Sequence, residues 1–145
     1  MISNINWNAS QSKISRYFSV SEVTKNDARR IPPADGDIEG NILRLAIDLD
    51  KIREEWGSPV LVTSWYRPAA VNRAVGGTSN SQHLYGRAVD IHPVNPESLA
   101  KFQAWLDQHW FGALGYGARR GFVHLDTRNG KGWQSGGEKG PRWNY

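Results

Sequence analysis

The chain of 145 residues contains no cysteine, and that absence closes two routes at once. A disulfide framework is impossible, and so is a thiolate metal centre, so any bound metal must be held by histidine, aspartate or glutamate. No apolar run is long enough to span a bilayer. The opening stretch, MISNINWNASQSKISRYFSV, lacks the charged start and apolar block of a secretory signal. The expectation is a soluble chain with no membrane insertion and no export device. Internal repeats and low-complexity tracts are missing as well. A strong charge of either sign is also lacking: 18 Lys and Arg against 14 Asp and Glu leave a net charge of +4. A mild basic excess favours encounter with anionic polymers without selecting one. The cations are scattered, with only Arg29-Arg30 and Arg119-Arg120 adjacent, and nucleic acid is not expected as a partner.

A chain of this length builds one domain with a real core. Residues 1–16, polar and rich in Asn and Ser, read as an arm with Trp7 docking on the body, and 17–145 as the domain proper. From Ile38 the apolar residues recur at Ile42, Leu45, Leu49, Ile52 and Trp56, one stripe along a helix that Gly57 and Pro59 end. Asp35 or Asp37 is expected to cap it, and its charges, Asp48, Asp50, Lys51, Arg53 and Glu54, read as a solvated face. Val60 to Tyr66 reads as a strand, and Ala69 to Val75 as a short helix before Gly76-Gly77. Asn95 and Pro96 open a second long helix, with Leu99, Phe102, Leu106 and Trp110 as its stripe. Gly112 to Tyr116 and Phe122 to Thr127 are further strands around a turn at Arg119 to Gly121. The tail from Arg128, carrying Trp133 and Trp143, reads as irregular but folded back. Helices and strands in this mixed order predict an α+β domain with a small antiparallel sheet flanked by helices.

Chemistry concentrates in SNSQHLYGRAVDIH, Ser79 to His92. His83 and Asp90 flank a glycine, and His124 follows in GFVHLDT. Two imidazoles and a carboxylate are the ligand types zinc accepts in open catalytic sites. Period-two alternation over Arg87 to His92 sends Ala88, Asp90 and His92 to one face and Val89 and Ile91 to the other. The same parity sets Phe122, His124 and Asp126 against Val123 and Leu125. His92 thus shares the face of Asp90, as a proton-transfer group or as a strand-end histidine in solvent. Asp126 reads either as the acid/base or as a carboxylate that orients a histidine or pairs with Arg128 or Arg142. His109, near a helix end, needs no function. Trp65, Tyr66 and Tyr85 line a cleft or fill the core.

S-x-H-x-x-G-x-A-x-D, here Ser81, His83, Gly86, Ala88 and Asp90, resembles the signature of the zinc D-Ala-D-Ala carboxypeptidases and their endolysin relatives. Hedgehog signalling domains share a similar run. The resemblance extends to RYFSVSEV, to TSWYRPAAVNRAVGG, and to GFVHLDTR with GPRW. It implies the same architecture, one zinc on His83, Asp90 and His124, and a substrate carboxylate gripped by Arg67 of SWYRP. Gln82, inside the signature, and Tyr66, beside Arg67, are the further substrate contacts expected. The function implied is a zinc metallopeptidase, monomeric, cutting a peptidoglycan stem peptide or cross-link, as carboxypeptidase or endopeptidase. Its place of action would be the cell wall, reached by phage-type release or export. Asp126, with His92 in reserve, is the candidate acid/base, because Ala118 to Val123 lacks the acid that many relatives carry there. That departure keeps a second reading open: a hedgehog-like, non-catalytic binding module that retains zinc.

Overall fold

The computed structural model describes residues 5–145; residues 1–4 of the expected arm lie outside it. The elements run α1 (Val20–Thr24), α2 (Asp37–Trp56), β1 (Val60–Ser64), α3 (Ala69–Ala74), β2 (Ala88–Pro93), α4 (Leu99–His109), β3 (Ala113–Tyr116), β4 (Val123–Asp126) and β5 (Arg142–Asn144). The strands form one sheet in the order β1-β2-β4-β3-β5. The first four pair antiparallel, whereas β5 joins β3 in parallel. The sheet is therefore mixed, and the tail read as irregular supplies its edge. No described helix is long and apolar enough to cross a membrane.

The helical stripes do what their spacing requires. Ile42, Leu45, Leu49 and Ile52 are fully buried, in one cluster with Phe102 and Leu106 of α4 and with Val89, Ile91, Val123, Leu125 and Leu114 of the sheet. Full burial of side chains of this size stabilises by about 1.5–3 kcal/mol each. Gly57 ends α2 in the left-handed conformation (φ 80°). Neither aspartate caps the other end: Gly36 is the N-cap, without a side-chain bond, and Asp37 is the first helical residue, where its charge complements the helix dipole.

Two charges of α2 also depart from a solvated face. Asp50 accepts hydrogen bonds from Ser15 Oγ and from the backbone N–H of Arg16 and Tyr17. Burial pushes the Asp48 carboxyl up from its ordinary value. Asp50 thus fastens the start of the chain to α2. Trp7 adds a second tie, buried in the core cluster with its indole N–H on Glu39 Oε2.

Alternation in the sheet separates core from chemistry. Val89, Ile91, Val123, Leu125 and Leu114 belong to the core cluster, and Asp90, His124, Asp126 and Gly115 do not. By register, Ser64, Asp90, His124, Gly115 and Trp143 form a single row across all five strands. The site is built on that row.

Candidate metal centre and cleft

Asp90 and His124 are direct cross-strand partners, and Asp90 Oδ1 lies 2.9 Å from His124 Nδ1. His83 reaches the same oxygen from outside the sheet, its Nε2 at 3.4 Å. It sits on a single 3-10 turn, Gln82–Tyr85, whose geometry is set locally: Ser81 Oγ accepts the His83 N–H, and Gly86 closes the turn at φ 72°. Glycine is required there for a second reason. A Cβ on Gly86 would stand 2.8 Å from Ile42 Cγ1 and 2.9 Å from the Ile38 carbonyl, so the turn packs directly on α2.

Both imidazoles are tied by the nitrogen that faces away. His83 Nδ1 lies 2.6 Å from the Trp65 carbonyl, which can only accept, so this nitrogen carries the proton and Nε2 keeps its lone pair. His124 Nε2 lies 2.7 Å from Asp126 Oδ2 and donates to it. Such outward partners fix tautomer and orientation in metal-binding histidines. Among the described residues, His83, Asp90 and His124 form a group whose ligand atoms lie within 4.8 Å of one another. Two neutral nitrogens and a carboxylate oxygen, with the opposite nitrogens tied, suit zinc in composition and count.

The electrostatics agree with that use. Burial lowers His83 below its ordinary value, overriding Asp90 and keeping the ring neutral. Burial would raise Asp90, but it is outweighed, with the hydrogen bond to His124 contributing most, and the carboxyl is held well below the usual carboxylate range. For Asp126, burial is likewise outweighed, by His124 and Arg128, and its value falls to about 2. His124 moves the other way: burial disfavours its charge, yet Asp126 and Asp90 on its two nitrogens raise it. Without metal the two carboxylates therefore favour the charged form of the ring.

A cleft of about 690 Å³ opens over these donors. Arg67 lines it, its backbone N–H bonded to the His83 carbonyl and Nη2 to Ser81 Oγ, while Nε has no partner among the described residues. Gln82 lines it too, with its carbonyl oxygen taken by Arg87 Nε at 2.6 Å. Tyr66 is placed elsewhere: it is buried in the core cluster, and Trp65 with it. His92 does not line the cleft, and its Nδ1 lies 2.9 Å from the Pro93 carbonyl. Asp126 is fully buried behind His124, where Arg128 Nε and Nη2 also bond it. It meets the imidazole and not the open space.

Sequence reading missed the opposite wall. Trp143 and Tyr145 close it, with ring centroids 5.2 and 6.3 Å from that of His124. They fit because Gly115, next to His124 in the row, has no side chain. A Cβ there would stand 2.5 Å from the Tyr145 ring and 2.9 Å from that of Trp143. The quoted run GPRW was the available signal, but only pairing with β3 tells where its tryptophan lands.

Two histidines and an aspartate grouped at the floor of an open cleft on an α+β sheet define a candidate metal-binding domain. A family model described as Peptidase M15 matches residues 16–126, and the chain belongs to the peptidase M15 family. It is 31% identical over 91 residues to the zinc D-Ala-D-Ala carboxypeptidase of Streptomyces albus G, covering 60% of this chain and 35% of that one. The chain spans about a third of the length of this curated relative.

Proposed function

We propose that this chain is a zinc-dependent peptidase of the bacterial wall, hydrolysing an amide bond of the stem peptide or cross-link. In this reading His83 Nε2, Asp90 Oδ1 and His124 Nδ1 hold one zinc ion, which supplies Lewis acidity toward the scissile carbonyl and activates water. Trp65 and Asp126 orient the two imidazoles, and residues 5–16 act as an arm on the peptidase domain. Arg67 binds the substrate carboxylate. The observation that carries the reading is the presence of Arg67 in the same cleft as the donors, with no ion-pair partner among the described residues. A planar guanidinium in that state suits bidentate capture of a carboxylate beside the scissile bond. The name of the Streptomyces relative supports a D-Ala-D-Ala terminus as the first substrate to try.

One observation favours the alternative of a zinc-retaining binding module: among the described residues Asp90 is the only acid lining the cleft, and 118–123 contains none. Incubation of purified sacculi with zinc-loaded protein, followed by mass spectrometry of the released material, separates the two. Free D-alanine means carboxypeptidase action, and new amino termini within the stem or cross-link mean endopeptidase action. Binding to sacculi with neither product supports the module. In the peptidase reading, chelation abolishes release and added zinc restores it.

A further inference from the structure

The metal cleft does not end at its aromatic wall. A second cavity of about 330 Å³ lies beside it, and the two share Arg120 and Tyr145 as lining residues. Arg67 lines only the first. The two cavities therefore adjoin at Arg120 and Tyr145, in a line from Arg67 over the metal donors toward Tyr116, Gln103 and Asn144. The charge along it is one-sided: Arg67, Arg128, Arg120 and Arg119 line it, and among the described residues the only acid is Asp90, which faces the two histidines.

The walls of the second cavity are held in place. Gln103 Oε1 accepts the Ala118 N–H at 3.0 Å, fixing the 3-10 turn Ala118–Arg120 against α4. Gly117 allows the approach, since a Cβ there would stand 2.8 Å from the Phe122 carbonyl. Tyr116 donates its hydroxyl to Asp107 Oδ1, and Asn144 is paired in register with Tyr116. Arg120 differs from these neighbours: its backbone N–H is bonded to the Gly117 carbonyl, but its side chain is exposed on a fixed turn and makes no hydrogen bond or ion pair among the described residues. Arg128 is already committed to Asp126.

We infer that the second cavity is a subsite for an acidic segment of the substrate on the amino side of the scissile bond, with Arg120 holding its carboxylate. The inference rests on the peptidase reading for its direction: if Arg67 takes the carboxylate on the leaving side, chain passing Arg120 belongs to the other side. Charge supplies the substrate class, because a path lined by four guanidiniums and one occupied acid attracts anions, and of the two exposed arginines beside the second cavity, Arg119 and Arg120, only Arg120 also lines the metal cleft. A charge-assisted contact there is geometrically selective, and its loss on amidation of the substrate carboxylate is directly readable.

The test uses synthetic peptides ending in D-Ala-D-Ala, each with one Glu or the matching Gln at the second, third or fourth residue before the scissile bond. Turnover is measured with zinc-loaded protein, and binding by calorimetry on metal-free protein, so that recognition is read without catalysis. At one position the Glu peptide should be favoured over the Gln peptide by roughly tenfold in both readouts. Arg120→Gln should collapse that preference to within about twofold, Arg120→Lys should keep part of it, and Lys101→Gln, an equal charge change on the exposed face of α4, should leave it intact. Turnover of both peptides without preference, or a preference that survives Arg120→Gln, overturns the subsite and leaves the peptidase reading standing. Arg120-dependent preference in binding with no cleavage of any peptide keeps the acidic subsite and removes the peptidase reading.

Discussion

The Asp126 carboxylate lies 2.7 Å from His124 Nε2, two residues back on the same strand, and takes two further hydrogen bonds from the Arg128 guanidinium. Strand alternation puts the two side chains on one face, and Arg128 turns the carboxylate toward the ring. Asp126→Asn removes the charge and sets an amide against a guanidinium. We expect zinc affinity to fall by roughly 10–100-fold, as for other groups that orient a ligating histidine. Competition with a chromogenic chelator measures this. Retained affinity with lost turnover would instead make Asp126 the acid/base.

The same arrangement predicts how metal-free protein responds to pH. His124 is raised above its ordinary 6.5, so its contribution is complete below that value and is lost as pH rises through the raised value. Asp126 is depressed from 3.8 to about 2, so its contribution is present above 3.8 and is lost as pH falls toward 2. Urea unfolding of metal-free protein should show an acid decline in that lower window and a second decline above 6.5. If His124 Nδ1 is a ligand, zinc must displace its proton, and affinity should rise across the second window. Stability that stays flat on the alkaline side would mean that His124 is neutral without metal.

Arg67→Ala should lower kcat/KM on a D-Ala-D-Ala-terminated peptide by one to two orders of magnitude, since a hydrogen bond to a charged group contributes about 1.5–3 kcal/mol. The melting temperature should move little, because Arg67 Nη2 has one long bond, 3.3 Å to Ser81, and the backbone tie to His83 remains. An unchanged kcat/KM would make Arg67 a wall residue only.

Gly115→Ala should cost about 1–3 kcal/mol by overpacking, and the strain should fall on Trp143 and Tyr145. Turnover should drop while zinc stoichiometry stays intact, because neither ring is a ligand. The near-ultraviolet circular dichroism of the aromatic wall should change with it. A variant with the wild-type spectrum would place the two rings elsewhere.

Periodicity made the helices and the central strands legible. The stripe from Ile38 to Trp56 and the alternation around Asp90 and His124 are local patterns, and each sends its apolar residues to the one core. Polar ends and edges were less legible. Asp50 reads as a solvated charge until the Ser15 to Tyr17 backbone folds over it, and Tyr66 reads as a cleft residue until its burial is seen. His92 has the parity of Asp90, but parity gives a face and not a position along it, and its ring turns to the Pro93 carbonyl. The edge strand Arg142–Asn144 is only three residues long and pairs in parallel with β3. Nothing local in RWN announces that pairing, so the Trp143 and Tyr145 wall could not be read in advance.

The central claim is that His83, Asp90 and His124 together hold one zinc ion, and elemental analysis of protein purified without added metal tests it most directly. Wild-type protein should carry about one zinc per chain and His83→Ala close to none, with a preserved far-ultraviolet spectrum showing that the variant folds. Zinc at the same stoichiometry in folded His83→Ala would contradict the assignment.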